Sequence, residues 1–213
     1  MADSRKGLPP TILSTVSGNE PPDTYFMALG KFIHRYSKLE GIVHIALRSA
    51  TGMSFMAAKV LLGNMRTSDE VSAIKRLSKL RNDPQNILDP LNRAFEQLTN
   101  IDKLRDQLVH RGISIRDGNL VCDNSITSKR HDLIEYFVIT VEDLHKASDD
   151  LDFIGQIILH YASPTHHEHY SRMAQKLPGF DREFQQRLTE PWQYRPVLLQ
   201  TLRPLENRDK SKK

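Results

Sequence analysis

The sequence predicts an all-α protein, a helical bundle of about five helices with a small β-hairpin after the fourth helix and a C-terminal extension. Three observations support this prediction. Between residues 23 and 162, most apolar residues recur at steps of three and four, the spacing of one face of a helix. A short alternating pattern appears around Asp117 and Gly118. After Pro164 the chain is polar and only weakly periodic.

The first predicted helix is long and begins with Asp23 or Thr24 as its N-cap. It should end at Gly52, because glycine readily adopts the left-handed conformation that follows many helices. Residues at helical spacing mark one apolar face of this helix: Phe26, Leu29, Phe32, Ile33, Tyr36, Leu39, Val43, Leu47 and Ala50.

Three further helices should follow. Ser54 is placed to cap a short helix that runs through Leu62, and Ser68 is placed to cap another that ends before Pro84. Asp89 and Pro90 supply an N-cap and a proline at the first helical position of a longer helix, which should close at Gly112.

The pattern then changes to that of strands. Asp117-Gly118, flanked by short apolar runs, is typical of a tight hairpin turn, and residues 133–139 have the composition of a further strand. Thr140 and Asp143 form the pattern of a capping box, which should start a last long helix that runs to about Ala162. We therefore divide the chain into a flexible segment (1–22), a helical domain (23–163) and a C-terminal extension with a basic tail (164–213).

Composition limits the classes of function. Cys122 is the single cysteine, which excludes an intrachain disulfide and a cysteine-based zinc site. No apolar run approaches the roughly 20 residues that span a bilayer, and no apolar signal core follows Arg5 and Lys6, so we expect a soluble, cytoplasmic protein with no membrane segment. The net charge of +4 permits a phosphate-rich partner without requiring one.

One stretch contains side chains suited to catalysis: the polar cluster from Arg105 and Asp106 to His110 at the end of the fourth predicted helix. Arginine presents a fixed fork of donors that matches a phosphate, and histidine gains and loses a proton near neutral pH. An arginine and an imidazole are the groups that metal-free RNA cleavage requires, and the neighbouring Lys103 and Arg111 are candidate RNA-binding residues.

The order of helices and this motif resemble the HEPN family, whose signature is an arginine, a polar residue and a histidine four to six residues after the arginine. The resemblance covers residues 23–163 and includes Tyr36-Ser37-Lys38-Leu39-Glu40 on the first helix. It implies a homodimeric, metal-independent endoribonuclease without a cofactor, acting as a toxin or phage-defence effector under an antitoxin or regulatory partner. It also leaves open an inactive module that binds RNA or a nucleotide, or that only dimerises.

The resemblance implies a division of roles. His110 would be the general acid or base, and Arg105 would hold the phosphate. Asp106, four residues before His110, could orient its imidazole. On an ideal helix, however, Arg105 and His110 diverge by about 140°. Either the helix end loosens near Gly112, or Arg105 reaches over the surface, or a second subunit completes the site. A simpler interpretation remains, in which Arg105, His110 and Arg111 only stabilise a helix terminus.

Glu40 is the second candidate on the helical domain. Its position falls on the apolar face of the first helix, where a charged carboxylate needs a partner. Glu40 either pairs with Arg105 or another basic group near the motif, or lies at an edge where its carboxylate reaches water. His166, His167 and His169 suggest metal binding, but adjacent histidines point apart, so we favour a solvated turn and predict no metal site.

Overall fold

The computed structural model describes residues 21–116, 119–124, 135–162, 180–198 and 200–201. These residues confirm the helical fold with a small antiparallel sheet. The helices are α1 (Asp23–Thr51), α2 (Phe55–Leu62), α3 (Thr67–Leu80), α4 (Gln85–His110), α5 (Val141–Ala162) and α6 (Phe180–Thr189). The strands are β1 (Gly112–Arg116), β2 (Asn119–Asp123), β3 (Glu135–Val138) and β4 (Gln200–Thr201). The N-terminal segment to residue 20, the turn at Asp117-Gly118, His166 to His169 and the basic tail lie outside the described residues.

α1 is the central helix of the bundle. Its apolar face packs mainly against α5 and also against α3, and Phe32 and Val43 are fully buried there. The predicted end is confirmed, because Gly52 adopts a left-handed conformation with φ 67°. The predicted start is wrong by one residue: Pro22 holds the N-cap position, and Asp23 lies in the first turn, where its negative charge still favours the helix N-terminus.

The caps of the two short helices differ from each other. The Ser54 cap of α2 is confirmed, since its hydroxyl accepts a hydrogen bond from the Ala57 backbone N–H at 3.3 Å. The Ser68 cap of α3 is wrong, because the helix already begins at Thr67. The carbonyl of Arg66 accepts the first helical bonds, from the N–H groups of Asp69 and Glu70.

α4 begins earlier than predicted, with Pro84 at the N-cap position, so Pro90 lies inside the helix. Two N–H groups in the first turn, those of Ile87 and Leu88, donate to the Pro84 carbonyl. Asp89 is therefore not an N-cap, and its carboxylate accepts a bond from the Gln85 side chain one turn earlier. Pro90 has no N–H, so α4 lacks the hydrogen bond that residue 90 would donate to the Asn86 carbonyl.

α4 ends at His110 without a left-handed glycine. Arg111 is already extended, with φ −113° and ψ 146°, and Gly112 begins β1 directly, so the prediction that Gly112 closes the helix is wrong. The Arg111 N–H still donates to the Gln107 carbonyl at 2.9 Å, and pairing with β2 takes over at the next residue.

The four strands form one antiparallel sheet in sequential order. The β1–β2 hairpin confirms the prediction, with Ile115 opposite Leu120, and β3 confirms a strand within residues 133–139. The short β4 was not predicted. The capping box before α5 is also confirmed: the Thr140 N–H donates to the Asp143 carboxylate at 3.0 Å, and the Asp143 N–H donates to the Thr140 hydroxyl at 3.1 Å.

The described part of the C-terminal extension packs on the bundle. Phe184 and Tyr194 are buried in the main core, and the Trp192 ring lies 5.8 Å from that of Phe153. Trp192 and Tyr194 thus pack back onto the helical domain. Across the described residues, no single helix is both long and apolar enough to cross a membrane.

Candidate functional site

The motif arginine faces an open cavity of about 440 Å³ between α1, the start of α3 and α4. Two of its lining residues, Tyr36 and Glu40, stand one turn apart on α1 and so share a face of that helix. Asp102, Arg105 and Asp106 occupy neighbouring positions on α4. The remaining lining residues come from the segment that enters α3: Met65, Arg66, Thr67 and Ser68.

Arg105 is held in place from two sides. Its Nη1 donates to Asp106 Oδ1 at 2.8 Å, and its guanidinium carbon lies 5.5 Å from the ring centroid of Tyr36, a cation–π distance. The bond to Asp106 raises the pKa of Arg105 above its usual value, and the negative charge of Glu40 adds to that effect. The guanidinium is thus always charged and has little freedom to rotate.

Tyr36 links Arg105 to a carboxylate. Its hydroxyl donates a short hydrogen bond to Asp102 Oδ1. Burial raises the pKa of Tyr36 well above its usual range, and the hydrogen bond and negative charge of Asp102 raise it further. Tyr36 therefore stays protonated at physiological pH and remains a donor. Sequence reasoning missed Asp102, although its place three residues before Arg105 was a signal that the two share a face of α4.

Glu40 lies in the same cavity as Arg105. The side chain is half-buried, and its Oε1 accepts a hydrogen bond from the Thr67 hydroxyl at 3.3 Å. No ion pair with Arg105 within 4.0 Å is found, although the two charges interact across the cavity. Glu40 thus lies near the motif, as the pairing hypothesis expected. Its hydrogen-bond partner, however, is the hydroxyl of Thr67 and not a basic group.

A second polar pair, His44 and Glu70, lies one turn beyond Glu40 along α1. His44 Nδ1 lies 2.7 Å from Glu70 Oε1. Glu70 is only 4% exposed, and this burial raises the pKa of its carboxyl, while the bond to His44 opposes the increase. Sequence reasoning missed both residues. The four-residue steps from Tyr36 through Glu40 to His44 were the available signal, since they mark one polar stripe on an otherwise apolar face.

His110 does not line this cavity. It is the last residue of α4, its side chain is exposed, and it forms no hydrogen bond or ion pair with the residues that the structure describes. The Asp106 carboxylate accepts its bond from Arg105, so the expected contact between Asp106 and His110 is not formed. Within one chain, the arginine and the histidine of the motif therefore point to different places, as the helix geometry predicted.

The two candidate RNA-binding residues have different surroundings. Lys103 is exposed on α4, and its charge is open to solvent. Arg111 is mostly buried, and its Nη2 donates to Glu135 Oε2 at 3.0 Å, which ties the end of α4 to β3. Of the two residues, only Lys103 is free to contact a ligand without breaking an ion pair.

The cavity is mixed in charge, with three carboxylates and two guanidinium groups among its lining residues. Over the described ranges, no group of three or more His, Cys, Asp or Glu side chains is arranged to hold a metal ion. Comparisons with protein-family models, with curated proteins and with solved structures found no match to this chain.

Proposed function

We propose that this protein is a metal-independent endoribonuclease of the HEPN type. The observation that carries the proposal is the arginine of the motif, fixed by Asp106 and Tyr36 in an open cavity, with a solvent-exposed histidine at the end of the same helix. The reaction is attack of a ribose 2′-hydroxyl on the adjacent phosphorus. The P–O5′ bond breaks, which leaves a 2′,3′-cyclic phosphate and a 5′-hydroxyl.

Arg105 binds the scissile phosphate. Negative charge accumulates on the non-bridging oxygens as the 2′-oxygen attacks, and a guanidinium already oriented by Asp106 stabilises that charge without reorganising. Asp106 and Tyr36 are positioning residues in this scheme, because they contact Arg105 and not the phosphate. The remaining donors of the Arg105 fork are available to the substrate.

His110 supplies the proton transfers. As a base it removes the proton from the 2′-hydroxyl, and as an acid it protonates the departing 5′-oxygen. Because His110 points away from Arg105 in one chain, the proposal includes a two-fold dimer in which His110 of one copy meets Arg105 of the other. Lys103 and its symmetry mate would add positive charge for the RNA backbone.

The biological setting is proposed from the resemblance alone. A nuclease of this kind would act in the cytoplasm as a toxin or a phage-defence effector, and an antitoxin or regulatory protein would restrain it.

Binding of RNA or a nucleotide without cleavage is the second candidate function. It is favoured by the separation of His110 from the cavity, because a site with a fixed arginine and no nearby histidine still recognises a phosphate.

Incubation of purified protein with a mixed RNA pool in EDTA tests the proposal. Cleavage should persist and leave cyclic phosphate ends, and His110→Ala should reduce the rate by about 100-fold or more. His145→Ala is the matched control, because His145 is also exposed on a helix but lies outside the motif. Cleavage that needs a divalent ion, or products with a 5′-phosphate, would refute the mechanism. Binding without cleavage would support the second candidate.

A further inference from the structure

The carboxylates of the cavity differ in how fully their oxygens are used. Asp106 accepts a charged hydrogen bond from Arg105 at 2.8 Å, and Asp102 accepts a short bond from Tyr36. Glu40 accepts one bond, from the neutral hydroxyl of Thr67, and its length of 3.3 Å exceeds the usual range for a hydroxyl donor. Glu40 therefore retains most of its capacity to accept hydrogen bonds.

A half-buried carboxylate that accepts only one long hydrogen bond favours a ligand that donates hydrogen bonds. A carboxylate offers about four acceptor sites on two oxygens, so Glu40 can accept hydrogen bonds from a ligand that displaces water from the open cavity. Arg66 at the same cavity favours an anionic ligand, since its exposed guanidinium has no partner within the described part of the chain. The cavity thus presents a free acceptor and a free cation together.

The ligand that satisfies both groups carries an anion and a pair of neighbouring donors. A volume of about 440 Å³ lies within the range of pockets that bind small molecules. A nucleotide fits this description, because its phosphate suits Arg66 and Arg105 and its base presents donors to a carboxylate. Resting on the proposed function, the same cavity would then hold the nucleoside on the 5′ side of the cleaved bond.

The bases differ in what they offer to an ionised carboxylate. Guanine presents two adjacent donors, N1–H and the exocyclic amine, which match both oxygens of Glu40. Adenine and cytosine place an acceptor ring nitrogen beside their amine, and uracil places its N–H between two carbonyl oxygens. A ring or carbonyl acceptor facing a carboxylate is repelled. We propose that the cavity is a guanine-recognition site, in which Glu40 reads the base edge and Arg66 and Arg105 hold the phosphate.

The first test uses the wild-type protein and measures binding of the 3′-monophosphates of guanosine, inosine, adenosine, cytidine and uridine by calorimetry. Guanosine 3′-monophosphate should bind about 10-fold or more tightly than the adenosine, cytidine and uridine compounds. Inosine 3′-monophosphate retains N1–H and lacks the exocyclic amine, so it should bind several-fold more weakly than the guanosine compound. This comparison needs no variant and does not depend on cleavage.

The second test replaces Glu40, the residue proposed to recognise the edge of the base. Glu40→Gln preserves the shape of the side chain but turns an amide N–H₂ towards one guanine donor, so the preference for guanosine over adenosine 3′-monophosphate should fall to within about twofold. Glu96→Gln is the matched control, because Glu96 is an exposed carboxylate on α4 outside the cavity. The control should retain the wild-type preference.

The outcomes separate this inference from the proposed function. Equal binding of all the nucleotides, no measurable binding, or a guanine preference that survives Glu40→Gln would overturn the guanine site. If Glu40→Gln does not fold, equal affinity of the wild-type protein for the guanosine and inosine compounds would also overturn it. Guanine-selective binding without RNA cleavage would support the guanine site and refute the nuclease. Cleavage without a guanine preference would support the nuclease and refute the guanine site.

Discussion

Replacing Asp150 by alanine should detach the C-terminal segment from the bundle. Asp150 is fully buried on α5. Its carboxylate accepts bonds from the backbone N–H groups of Gln193 at 3.1 Å and Tyr194 at 2.9 Å, and from Gln97 Nε2 at 3.0 Å. One buried side chain thus anchors two successive residues that lie more than 40 positions away in the chain.

The size of the effect follows from the partners left behind. Gln97 Nε2 also donates to the Tyr194 carbonyl, so it keeps a partner, whereas the buried Tyr194 N–H loses its acceptor. Gln193 is exposed, so water can replace part of its bond. An unsatisfied buried donor costs about 1–3 kcal/mol. The ion pair between the Asp150 carboxylate and Arg187 Nη2 at 3.6 Å is also lost, and relief from burying a charge offsets that part of the loss. We expect Asp150→Ala to lower the free energy of unfolding by about 1–3 kcal/mol.

Urea unfolding at pH 7 measures this change, and Trp192 reports where it occurs. Trp192 is the single tryptophan of the chain and packs on Phe153, so release of the segment should shift its emission to the red. Asp149→Ala is the matched control. Asp149 is the neighbouring residue, its carboxylate is 51% exposed, and its ion pair with Arg35 should be worth about 1 kcal/mol or less.

Two results would refute this reasoning. One is an Asp150→Ala protein whose stability lies within about 0.5 kcal/mol of wild type, the scatter expected of an ordinary surface substitution. The other is an equal loss in Asp149→Ala, which would show that the position on α5, and not the buried network, sets the cost.

Three further predictions concern the site. Tyr36→Leu removes the ring beneath Arg105 and should lower kcat/KM for RNA about fivefold, whereas Tyr36→Phe keeps the ring and should lose less; equal losses in steady-state cleavage assays would contradict the stacking role. Burial raises the folded-state pKa of Glu70 above its unfolded value of about 4.3, so this group stabilises the fold below that pH and loses its contribution as the pH rises through the folded pKa. Glu70→Gln should therefore flatten the fall in stability as the pH rises above the unfolded pKa, and an unchanged profile would contradict it. Mixing Arg105→Ala chains with His110→Ala chains should restore part of the cleavage activity through heterodimers, and no recovery after confirmed subunit exchange would exclude a shared site.

Local sequence patterns were enough to predict the helical fold and most of its boundaries. The features predicted correctly depend on groups within a few residues of one another, so the local pattern is enough to predict them. They are the periodic apolar residues, the Ser54 cap, the Thr140–Asp143 capping box and the left-handed Gly52. The local pattern failed at Pro90 for a related reason. Proline suits the first position of a helix, but the Pro84 carbonyl already accepts helical bonds, so α4 begins five residues before Pro90.

Tertiary structure alone decided which polar side chains meet. The motif was visible in the sequence, but the partners of Arg105 were not, because Tyr36 lies 69 positions away on a helix that comes close only when the bundle packs. The same holds for Asp102 with Tyr36, for Glu70 with His44 and for Asp150 with the C-terminal segment. Side-chain pairing between distant elements depends on how helices are rotated against each other, and the packing of the whole core fixes that rotation.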